Sequence, residues 1–193
     1  QVLPGTYRAV ISYGDQNSET TIEVQSDPRI PYDKNSTLEV YKTLKDFEEL
    51  QEITANAVKQ LVDSKTIANE FSNKLKKNNK TLNKDAIENC KGITKKIDTI
   101  LALYFGKNDK RQGITSDPDV SVTDRMGLAT YYSRTRQNGI TATERTLIAH
   151  ANTAVEEALN ATNSFFEDEW SKFKTEMERN DVSPFKPVES FKL

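Results

Sequence analysis

The sequence predicts a mainly α protein: an elongated up-down bundle of three long helices and a short one, with a β-hairpin ahead of them. After residue 36 the apolar residues recur three or four apart, the period of one helix face, whereas before residue 30 they alternate with a period of two. Of 193 residues, 29% are charged and 35% apolar, with only 7 Gly and 6 Pro, a composition that suits long solvated helices. Prolines at 28 and 31, and again at 184 and 187, bracket the helical part, because each lacks a backbone donor and pushes its predecessor out of the helical region. The expected divisions are a hairpin over 1–30, a bundle over 31–181 and a tail over 182–193.

In the hairpin, Tyr7, Ala9, Ile11 and Tyr13 alternate with Arg8, Val10 and Ser12, and Thr20, Ile22 and Val24 repeat the period after a polar stretch at 14–18. A lone hairpin is marginal in water, so it needs helices or further strands to cover it. The first helix is written by Tyr41, Leu44, Phe47, Leu50, Ile53, Ala57, Leu61, Ala68, Phe71 and Leu75. It starts at Ser36 and runs for about 40 residues, roughly 60 Å at 1.5 Å per residue. Lys74, Lys76, Lys77 and Lys80 gather at its end, facing the negative pole of the helix dipole. A shorter second helix follows from Ala86, Cys90, Ile93, Ile97, Ile100, Leu101 and Tyr104, closing at Gly106.

Residues 107–139 are the least regular, although Ser121 and Asp124 read as a cap for a short helix holding Met126, Ala129 and Tyr132. The last helix, 141–181, opens on a Thr141 and Glu144 capping box. Its stripe is Leu147, Ala151, Ala154, Ala158, Phe165 or Phe166, Trp170, Phe173 and Met177. Short or helix-containing connections make the long helices antiparallel. Phe185, Val188 and Phe191 of the tail either fold back on the bundle or stay free of it.

Composition narrows the function classes. A net charge of -2 argues against nucleic acid, which needs a surplus of Lys and Arg on one face. The most apolar run, 97–105, is far short of the roughly 20 residues of a membrane span. The chain opens QVLPGTY with no leader, as a trimmed segment of a larger protein would. Cys90 is the single cysteine and is expected to behave as a small buried hydrophobe.

No catalytic or cofactor constellation is apparent. His150 is the lone histidine and reads as a flank or core residue beside Leu147 and Ala151. Glu156 with Glu157, and Glu167 to Glu169, read as a solvated acidic face, because adjacent helix positions point in different directions. The sequons at Asn35, Asn79 and Asn160 matter only in a glycosylating host. The candidate ligand or interaction surface is Arg111, Gln112, Arg125, Tyr131 and Tyr132, with Trp170, since tyrosine and tryptophan join an apolar face to a polar handle. The competing reading has Arg111 and Arg125 tying an irregular segment onto the bundle through helix C-terminal carbonyls.

Val2 to Tyr7 (VLPGTY), Thr21 to Val24 and Asp27-Pro28-Arg29 resemble the C-terminal region of secreted bacterial BNR/Asp-box (sortilin-like, VPS10-like) β-propeller proteins, often labelled glycosyl hydrolases. Arg111 to Ile114, and Phe165-Phe166 with Trp170, resemble that family's helical tail. The resemblance implies that the hairpin ends an immunoglobulin-like module and that a helical region follows it. It implies a secreted or periplasmic location, and upstream Ig-like and propeller domains as partners. No Ser-x-Asp-x-Gly-x-Thr-Trp box occurs, so no catalytic residue is carried over. The expected function is a non-catalytic accessory or interaction domain, with a protein, a glycan or a second copy as partner. The alternative is a carbohydrate-binding or glycosidase-associated domain using segment 111–132.

Overall fold

The computed structural model describes residues 2–107, 120–136 and 139–179. Strands β1 (Gly5–Tyr13) and β2 (Gln16–Val24) pair antiparallel without a bulge, from Gly5 opposite Val24 to Tyr13 opposite Gln16. The turn between them is therefore just Gly14-Asp15. Gly14 has φ 55°, as the first central position of a II′ hairpin turn requires, and β2 begins inside the stretch expected to be turn. Tyr7, Ala9 and Ile11 lie opposite Ile22, Thr20 and Ser18, which makes one face apolar. Among the described residues no helix covers either strand: Ile11 is 74% and Tyr13 86% exposed.

Helix α1 (Lys34–Asn79) starts two residues before the expected Ser36, because Asp33 is its cap and its carboxylate accepts the Ser36 N–H at 2.7 Å. Helix α2 (Lys84–Phe105) returns after a turn held by the side chains of Asn79 and Asn83; Asn83 Nδ2 donates to the Leu75 carbonyl at 3.1 Å. Gly106, with φ 79°, closes α2 as expected. Ser121 caps the short helix α3 (Val122–Arg134), accepting the Asp124 N–H.

The final helix is not one regular α-helix. It runs on as α4 (Ala142–Ser164), a π-helical segment (Phe165–Trp170) and α5 (Ser171–Arg179). The wider π turn shifts the buried stripe, so that Phe165 is buried, Phe166 and Trp170 are half-buried, and Phe173 returns to the core.

The main core joins Leu61, Ala68 and Leu75 of α1 to Cys90, Ile93, Ile97 and Tyr104 of α2 and to Val155, Ala158, Phe165, Phe173 and Met177 of the last helical run. Each fully buried Leu or Ile among them contributes about 1.5–3 kcal/mol. A smaller cluster of Phe47, Ala129 and Ala151 forms where α3 takes the place of α2 beside α1 and α4. The mainly helical class and the antiparallel bundle are as the sequence predicts.

One expected core position is corrected. Ile53 is 52% exposed, because at 100° per residue it falls at the flank of the arc that carries Phe47, Leu61 and Ala68. His150 is exposed and so is a flank rather than a core residue, since it precedes the buried Ala151 by one position, again a step of 100°.

Candidate functional site

Among the described residues, a dense polar arrangement lies where the start of α1 meets the start of α4. Helix α4 begins with the Thr141 and Glu144 capping box. The Glu144 carboxylate accepts the Thr141 N–H at 3.0 Å and the Thr141 hydroxyl. Its other oxygen accepts Arg136 Nη2 at 2.7 Å. Glu144 is 0% exposed, so every lone pair it uses must find a donor inside the fold. Those bonds, first the one from Arg136 and then that from Thr141, outweigh burial and hold its pKa down to about 2.

A second carboxylate ties α1 to the same turn. Glu39 accepts Arg145 Nη2 at 2.6 Å and the Ile140 N–H at 3.3 Å, and the same Arg145 nitrogen donates to the Ile140 carbonyl at 3.1 Å. These bonds, that to Arg145 foremost, lower the Glu39 pKa. Gly139 is required here: its φ is 89°, and a Cβ would come within 3.3 Å of Ser36 and Glu39. Both acids are occupied by fixed donors, so the cluster serves as a structural clamp rather than a proton acceptor.

Two openings flank the clamp. One is a cleft of about 250 Å³ between the base of the hairpin (Leu3, Pro4, Val24) and the bundle (Val40, Tyr41, Arg136). The other is a groove of about 480 Å³ between α1 and α4, floored by Phe47, Leu50 and Ile148 and edged by Asp46 and Arg145.

Among the described residues of the expected surface, Trp170 lies apart from those on α3. Arg111 and Gln112 lie outside the described residues, as does the tail with Phe185, Val188 and Phe191. Arg125 is half-buried, and its Nε reaches the Val120 carbonyl at 3.4 Å, just ahead of its own helix rather than at a helix C-terminus. Tyr131 and Tyr132 are 65% and 44% exposed on α3, edge to face with ring centres 5.4 Å apart. Trp170 belongs to a different region. It packs 5.3 Å from Phe173 and 6.2 Å from Phe166, ring centre to ring centre, and ties the π segment to the core. From Glu144, which sits beside the end of α3, to Trp170 the helical run advances roughly 35–40 Å.

Glu156, Glu157, Glu167 and Asp168 are exposed, as the sequence suggests, whereas Glu169 is half-buried and pairs with Lys96 at 2.5 Å. Cys90 is buried with its Sγ 4.0 Å from Met177 Sδ, and burial pushes its thiol pKa up. Among the described residues no group of three or more His, Cys, Asp and Glu could hold a metal ion, and no helix is long and apolar enough to cross a membrane.

Sequence reasoning finds the Thr141 and Glu144 half of the clamp. It misses Arg136, whose partner Glu144 lies eight positions on across a helix boundary, and it misses Glu39 with Arg145, since nothing local pairs residues that lie 106 positions apart. Comparison with protein-family models, with curated proteins and with solved structures found no match to this chain.

Proposed function

We propose that this chain is a non-catalytic accessory domain of a larger secreted or periplasmic β-propeller protein, serving to hold, space or present that protein's other modules. The carrying observation is the hairpin. Its apolar face, Tyr7, Ile11, Tyr13 and Ile22, is left exposed by the bundle, which suits a hairpin that completes an immunoglobulin-like module. The bundle suits a spacer: α1 alone is about 69 Å long. Its best-organised polar cluster is committed to fixing the helices.

A second reading, a carbohydrate-binding accessory, draws on the exposed Tyr131 and Tyr132 pair. It commits to loss of oligosaccharide binding in Tyr131→Ala with the fold intact.

The deciding experiment is an immunoblot of fractionated source cells with an antibody raised to this chain. A band several-fold larger than the chain, in the envelope or secreted fraction, is expected. A band of the chain's own size in the cytoplasm overturns the accessory reading.

A further inference from the structure

The hairpin and the bundle are joined through a stretch that no hydrogen bond braces among the described residues. Strand pairing ends with Gly5 opposite Val24. The next fixed point is Asp27: its Oδ1 accepts the Arg29 N–H at 3.0 Å, its carboxylate accepts the Arg29 guanidinium, and its carbonyl accepts the Ile30 N–H at 3.1 Å. Between the two, neither Gln25 nor Ser26 makes a hydrogen bond among the described residues.

Beyond Asp27 the chain stiffens. Pro28 and Pro31 fix their own φ, and Asp33 caps α1. The start of α1 is then held to the α3–α4 connection by Glu39, Arg145 and the close approach of Gly139. Among the described residues, rotation between the two parts therefore has a stretch free of hydrogen bonds in which to occur. The space for it is present, since the cleft of about 250 Å³ separates hairpin base from bundle where a fixed joint would be packed solid.

We infer that Gln25-Ser26 is a hinge on which the hairpin swings as a rigid flap over the cleft formed with Tyr41, Val40 and Arg136. Whatever holds the hairpin is thereby free to reorient relative to the bundle. The hinge is a property of this chain and stands whether or not the accessory reading does.

The test is a pair of spin-label distance distributions on the full chain. One pair joins Asn17→Cys on the hairpin to Glu157→Cys on α4; the control pair, Gln51→Cys with Glu157→Cys, lies within the bundle. The native Cys90 is buried away from the label. The hairpin pair is expected to give a distribution at least about twice as wide as the control. Ser26→Pro should narrow it towards the control, and Ser26→Gly should widen it, with helical content unchanged. A hairpin distribution as narrow as the control overturns the hinge. So does a wide one that neither substitution at Ser26 alters.

Discussion

Arg136 Nη2 lies 2.7 Å from Glu144 Oε1, so an arginine just past the end of α3 neutralises a carboxylate buried in the first turn of α4. The pair ties the end of α3 to the first turn of α4, and with the capping box Glu144 accepts from both sides at once.

The pH dependence follows from that position. The folded pKa of Glu144 is about 2, below its ordinary 4.5, so the carboxylate's contribution is fully present above about 4.5 and is lost as pH falls towards 2. Acid unfolding curves should show wild type losing stability across that window. Glu144→Gln should be less stable than wild type at pH 7 and should show a smaller loss on acidification. Parallel pH profiles for the two proteins would refute the assignment.

The cap itself can be weighed apart from the arginine. Thr141→Ala removes the hydroxyl that bonds Glu144 but keeps the Arg136 contact, and should cost about 1 kcal/mol in urea unfolding. A cost below about 0.3 kcal/mol would show that Arg136 and the backbone N–H of residue 141 hold the carboxylate without the hydroxyl.

How much of this was legible in the sequence depends on how far apart the partners are. The Thr141 with Glu144 and Ser121 with Asp124 caps could be read because each motif closes within three residues. Gly106 announced the end of α2 by its lack of a side chain. The π segment could not be placed, since one extra residue per turn left Phe165 and Phe166 equally good members of the stripe, and only packing against Trp170 and Phe173 decides between them. The Tyr131 and Trp170 grouping failed for a related reason: aromatic character is visible in sequence, but the length of helix separating two aromatics on a folded-back chain is not.

Those aromatics should respond differently to truncation. Trp170→Ala removes packing from a half-buried cluster and should cost about 2–3 kcal/mol. Tyr131→Ala acts at an exposed position and should stay within about 0.5 kcal/mol of wild type. Chemical denaturation of both variants checks this. Equal costs would mean that Tyr131 is buried by something its exposure on α3 does not reveal.

Two serines offer stability rather than loss. The Oγ atoms of Ser72 and Ser133 are buried without a hydrogen-bond partner, a state that carries a desolvation penalty. Ser133 is 0% exposed on α3, and Ser72 is 5% exposed in the C-terminal half of α1. Alanine also has the better helix propensity at both positions. Ser133→Ala and Ser72→Ala should therefore each raise the unfolding free energy by about 1 kcal/mol. Because Ser133 lies beside the clamp near the start of α1, its carbonyl accepting the Arg136 N–H, while Ser72 lies near the other end of α1, their effects should add when combined. Urea midpoints of the two single variants and the double variant, taken at unchanged slope, decide the matter. A destabilised Ser133→Ala would mean that its hydroxyl has a partner and that this part of the α3 contact is more polar than its neighbours Val122 and Ala129 suggest.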